Sequence, residues 1–203
     1  MELEELKTVW ASIDERLKKQ EMLNKQIIQE MLYKKSDKSL NWLVNTDASS
    51  IIVSLLAIPF LIWAYNHPPF NHMLFPRIAF IVTFAICIWG IIWYYYKLKY
   101  LMRIDFSKIV KDNMFCMNKY SIMIKQEKIS AYFLMPIIYI LCILTYYEFK
   151  ANLSLWVLLV VSLAVGVAIT YWMYKKIYDK NIQSIKKNLQ ELEELKELDV
   201  PKE

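Results

Sequence analysis

The sequence predicts an all-α, polytopic membrane protein: four transmembrane helices, with amphipathic cytosolic helices forming a bundle. Three observations predict it. Of 203 residues, 57% are apolar and only 2 are glycine. The apolar residues gather in four blocks free of Lys and Arg: Ala48–Pro76, Ile78–Tyr96, Ile129–Phe149 and Ala151–Tyr174. A bilayer core about 30 Å thick is crossed by about 20 apolar residues at the rise of an α-helix, a length that each block reaches. Finally, 23 of the 25 Lys and Arg residues lie in the three long polar segments that the blocks leave over. A soluble globular domain would spread its apolar residues through the chain, so that class is excluded.

Residues 1–47 form the first cytosolic segment. Positions 2–35 contain neither Pro nor Gly and favour helix formers. Apolar side chains recur at Leu3, Leu6, Trp10, Ile13 and Leu17, and the seam continues through Gln20 and Asn24 to Ile27 and Met31. That 3-4-3-4 spacing is a heptad a/d pattern interrupted by two amides, which weaken packing but can fix register or partner. Leu6, Trp10, Ile13, Leu17, Ile27 and Met31 are therefore the candidate partner-binding residues. The acidic start Met1-Glu2-Leu3-Glu4-Glu5 is the opposite of a basic signal-peptide n-region, so the first span is expected to act as its own insertion signal.

Residues 48–96 make the first transmembrane hairpin, with spans Ala48–Tyr65 and Ile78–Tyr96. Trp63, Tyr65 and Trp93–Tyr96 close these spans with interfacial aromatics. The loop Asn66–Pro76 holds Pro68, Pro69 and Pro76, which stop helices. Residues 97–128 form a cytosolic linker with 8 basic and 3 acidic side chains. Its Met102, Phe106, Ile109, Asn113, Met117, Tyr120 and Ile124 are expected on one helical stripe, with Ser107 as a candidate cap.

Residues 129–174 make the second hairpin, with spans Ile129–Tyr147 and Leu153–Tyr174 joined by a short turn. Residues 175–203 continue the fourth span into the cytosol, with a stripe of Tyr178, Ile182, Ile185, Leu189 and Leu192 leading on to Leu195 and Leu198. Lys and Arg resist translocation, so the rich side is the cytosol and both termini lie there. So little chain is left outside that an extracellular binding domain is excluded. The basic residues flanking the spans suit anionic lipid rather than nucleic acid.

An internal echo relates the two halves. Pro59 and Pro136 sit near the middle of the first and third spans, and Tyr96-Lys97-Leu98-Lys99-Tyr100 matches Tyr174-Lys175-Lys176-Ile177-Tyr178. Each half reads as a cytosolic helix, a kinked span, an outer turn and a return span.

Chemistry is sparse. The four spans contain no Asp, Glu, Lys, Arg or His, whereas pumps, coupled transporters and intramembrane proteases keep such residues facing the bundle interior. Two glycines cannot build a phosphate-cradling loop, and no GxSxG or HExxH is present. His67 and His72 have no carboxylate motif beside them, and Cys87, Cys116 and Cys142 include no CxxC pair. No catalytic residue, metal site or cofactor is expected, and the protein reads as a binding protein, not an enzyme.

The start Leu6-Lys7-Thr8-Val9-Trp10 with Arg16-Leu17, the four spans, and Ile104-Asp105-Phe106-Ser107 in the linker resemble a family of small four-span membrane proteins from the Bacteroidota. Members are often encoded beside sigma factors of the extracytoplasmic-function type. The resemblance implies a membrane anti-sigma factor or sensor in a bacterial inner membrane, with the N-terminal segment holding a sigma factor. The HxxxCxxC zinc signature of many anti-sigma domains is absent here. Two readings follow: a regulatory protein that captures a partner through the N-terminal seam, or a structural or channel-like homo-oligomer whose cytosolic helices assemble as a coiled coil, a homodimer in the simplest case.

Overall fold

The computed structural model describes residues 3–67, 73–106, 108 and 110–197. Helix α1 (Leu3–Asn66) is one uninterrupted element of 64 residues, ~96 Å long at 1.5 Å per residue. It runs through the boundary between polar segment and first span without a break. The hydroxyls of Thr46, Ser50 and Ser54 turn back onto the carbonyls of Trp42, Thr46 and Ser50 at 2.7–2.9 Å, so they enter apolar surroundings already satisfied. Helix α2 (Leu74–Leu101) returns alongside α1. Helix α3 (Val110–Glu148) joins the linker stripe to the third span as one 39-residue helix. Helix α4 (Leu153–Met173) starts at Asn152, whose side chain accepts from the Leu155 amide. It passes through a π-helical turn, Tyr174–Asp179, into α5 (Lys180–Glu197).

The fold is all-helical among the described residues, and four of its helices are long and apolar enough to cross a membrane. Their apolar parts carry large side chains on the outside, among them Phe60, Trp63, Trp89, Phe133, Leu158 and Val161. Helices apolar on every side are stable only where lipid or protein covers them.

The densest core lies in the polar half. Leu32 and Leu43 of α1, Leu101 of α2, Met117, Tyr120 and Ile124 of α3, and Ile182, Ile185, Leu189 and Leu192 of α5 form one buried cluster. The C-terminal stripe is thus inward over Tyr178–Leu192, with Leu195 half-buried and Leu198 outside the described residues. The linker stripe holds from Asn113 to Ile124. Met102 departs from it: α2 ends at Leu101, so Met102 falls in the turn and is exposed. Phe106 is half-buried, and Ile109 and Ser107 lie outside the described residues. The turn is closed by Asn113, which accepts from the Asp105 amide at 3.0 Å and donates to its carbonyl at 2.7 Å.

From the sequence, the three polar-segment stripes could bury one another, pair with a second copy or receive a partner. The structure buries a different face of α1, carrying Leu32, Ser36, Ser39, Leu43 and Asp47, and leaves Trp10, Ile13, Leu17, Ile27 and Met31 of the heptad seam uncovered. The reason is length. α1 and α5 run antiparallel, with Asp47 bonded to Tyr178 at 2.9 Å and Asn188 to Ser36 at 3.0 Å. At that register α5 ends near the level of Ile28, and the rest of α1 continues past it as an arm that no other described residue covers.

Candidate functional site

Two features stand out: the arm, and a buried charged knot where the membrane half meets the polar half. The knot is built by one residue or pair from each long helix. Asp47 of α1, Lys97 of α2 and Glu127 of α3 meet, with Tyr178 arriving from the π-helical turn. The Lys97 Nζ lies 2.7 Å from Glu127 Oε2 and 3.1 Å from Asp47 Oδ1, and the side chains of Lys97 and Asp47 are completely buried. The hydroxyls of Tyr120 and Tyr178 each donate to Asp47 at 2.9 Å, while Tyr174 donates to Glu127 at 2.9 Å and Tyr94 at 3.3 Å. The ammonium also faces the rings of Tyr94 and Tyr178, at 4.6 and 4.9 Å from their centroids. A second pair, Lys128 Nζ to Asp179 Oδ1 at 2.7 Å, ties α3 to the π-helical turn.

Burial raises the Asp47 carboxyl above its ordinary value of 3.8, against the opposing pull of Lys97 and the two tyrosines. Burial and the neighbouring carboxylates hold the Tyr120 and Tyr178 phenols far above their usual range, so they remain donors. An ammonium with two carboxylates and no exposed surface offers nothing to a substrate. The knot joins helices.

The knot also marks a level. From Asp47 to Asn66, and from Glu127 to Glu148, the helices rise ~29–32 Å, about the thickness of a bilayer core. At the far end Glu148 accepts from the amides of Leu74 and Phe75 at 3.0 and 2.9 Å, capping α2 from the second hairpin. Between α3 and α4 the helices part around a cleft of about 920 Å³ lined by Tyr132, Pro136, Tyr139, Leu163 and Val167, with Lys128 and Asp179 at its polar end. The two YKxxY copies meet different fates: Lys97 is buried in the knot, whereas Lys175 is exposed.

Of the candidate partner-binding residues, Trp10, Ile13, Leu17, Ile27 and Met31 lie on the arm, each 44–67% exposed. The side chain of Leu6 lies outside the described residues. Val9, Leu23 and Ile28 widen the same apolar surface. Sequence reasoning missed the knot because it counted ionisable residues inside the spans, and these sit one or two residues beyond the ends. The signal was present: an acid at Asp47, Glu127 and Asp179, each at the same end of a span whose flank is otherwise basic or polar.

Comparison with known proteins identifies no relative: no family model matches the chain, and no curated protein or solved structure matches it.

Proposed function

We propose that this chain is a membrane-anchored interaction protein that works by binding rather than by catalysis. Four spans and the knot form the base, and α1 carries the seam Leu6, Trp10, Ile13, Leu17, Ile27 and Met31 away from it as a docking arm. On the positive-inside rule both termini, and hence the arm, lie in the cytosol of a bacterium, with the spans in its inner membrane. One observation carries this reading. The stripes of α3 and α5 are buried in the core, while the apolar residues of the arm stand open to water. A long uncovered stripe at helical spacing suits helix-against-helix recognition.

Such an arm can hold a second copy of the chain or a different protein. The resemblance to proteins encoded beside extracytoplasmic-function sigma factors makes such a factor the first heterologous candidate, held at the membrane in an anti-sigma role. The test is affinity capture of the tagged full chain from detergent-solubilised membranes. Wild type should retain one stoichiometric companion, another copy or another protein, and Trp10→Ala with Ile13→Ala should release it while the thermal transition stays in place. A companion retained equally by both chains, or none retained by either, would refute the arm as the binding element.

A further inference from the structure

The occupant of the seam follows from the charges beside it, an inference that rests on the arm being a docking element. With Leu3 at heptad position a and Leu6 at d, the a positions are Leu3, Trp10, Leu17, Asn24 and Met31, and the d positions Leu6, Ile13, Gln20 and Ile27. The flanking g positions hold Glu2, Val9, Arg16, Leu23 and Glu30; the e positions hold Lys7, Asp14, Glu21, Ile28 and Lys35. In a parallel, in-register pair each g residue meets the e residue five positions further along the other helix. Arg16 then meets Glu21 and Glu30 meets Lys35, while Leu23 meets Ile28. Val9 against Asp14 is neutral, and no two like charges face each other.

The seam agrees with the flanks. An amide at an a position costs stability but fixes register and strand number when it pairs with its own copy, and Asn24 occupies such a position. Orientation agrees too. Every copy inserted in the same sense sends α1 out of the same face of the bilayer, so neighbouring arms are parallel without further adjustment. A separate soluble protein meets no such constraint. The pairing also leaves the bundle intact, because the buried face of α1 starts at Leu32, a turn of ~100° from Met31. Confinement to one bilayer raises the effective concentration of the arms, which offsets the shortness of four heptads with two amides.

We infer that the arm pairs with that of a second copy of this chain as a parallel, in-register, two-stranded coiled coil over residues 3–31. The test uses the full chain in lipid nanodiscs and vesicles, with Cys87, Cys116 and Cys142 replaced. Single cysteines at a positions, Leu17→Cys and Asn24→Cys, should form an inter-chain disulfide under mild oxidation, since disulfides need close Cα atoms. Met22→Cys, at the outer f position, should not. Arg16→Glu should weaken dimerisation about tenfold by making two flanking pairs repulsive, and adding Glu21→Arg should restore it.

Cross-linking that is equal at positions 17, 22 and 24, or absent from all of them, overturns the inference; so does failure of the double charge swap to rescue. A monomeric chain that still captures a different protein through Trp10 and Ile13 overturns the dimer and leaves the docking arm standing. A monomeric chain that captures nothing overturns both.

Discussion

Lys97 carries its ammonium to a place that excludes water, and the residues around it decide what that costs. Two carboxylates pair with it and the rings of Tyr94 and Tyr178 face it, while four phenols donate to those carboxylates rather than to the ammonium. Taking away one partner of a buried ion pair typically costs about 3–5 kcal/mol, because the other is stranded. Lys97→Met should therefore destabilise the polar half by about that much in a thermal or chemical unfolding experiment in detergent. Asp47→Asn should cost less, since Lys97 keeps Glu127 and the single amide oxygen still accepts from one of the two tyrosines, which donate to different oxygens of the Asp47 carboxylate. The sign of the pH effect is fixed by the raised Asp47 carboxyl. The native chain holds that proton to higher pH than the unfolded chain does, so the contribution is full below 3.8 and is lost as pH climbs through the raised value. Wild type should thus lose stability relative to Asp47→Asn as pH rises from about 4, and run level with it once the group is ionised. A difference that grows in the opposite direction would refute the assignment of burial as the dominant influence on Asp47.

Helix α1 does two jobs with two faces. From Leu32 onward it is a member of the bundle; before that it touches little of its own chain. A chain lacking residues 3–22 should melt within ~0.5 kcal/mol of wild type, as expected for loss of exposed residues, yet lose its companion in affinity capture. Limited proteolysis should cut first in the arm, around Lys18 and Lys19, and spare Lys38. The π-helical turn of α4 is a second element with a specific task. Its wider turn brings both Tyr174 and Tyr178 to the knot while keeping Ile182, Ile185, Leu189 and Leu192 aimed at the core. Inserting one alanine after Asn181, in the regular winding of α5, adds a residue that no wider turn absorbs and should rotate the rest of α5 by ~100° against the core. That insertion should unfold the polar half far below the wild-type midpoint, whereas Lys176→Ala, at an exposed site, should leave it unchanged. Equal effects would mean that α5 carries no registration role.

At the scale of the whole molecule, four helices of bilayer length share one polar level at the knot and another at their far ends, where Glu148 caps α2. On the proposed topology, a reporter fused at Asn71 should be exported and reporters at either terminus should not. Cytosolic activity of the Asn71 fusion would invert or break the topology. The polar bundle and the membrane half meet at the boundary, where Asp47, Lys97, Glu127 and Asp179 tie the long helices to one another. Pairing of two arms would hold two such chains side by side, with their clefts between α3 and α4 carried along.

The four helices of bilayer length, the helical middle and C-terminal stripes, and the apolar seam were legible in the sequence because hydropathy and heptad spacing are local properties, written in residues three to twenty apart. The positions of Trp10, Ile13, Leu17, Ile27 and Met31 on one open face belong to that local kind. Which stripe is buried and which is left open was not local. It depends on α5 stopping short of the end of α1, a comparison between segments 150 residues apart in the chain. The knot was hidden for the same reason: Asp47, Lys97 and Glu127 look like ordinary flanking charges until three helices bring them within 3.1 Å. Sequence by itself determined where the chain is helical and where it is apolar. Tertiary structure alone decided which charges lose their water and which apolar face keeps it, because burial depends on what arrives from elsewhere in the fold.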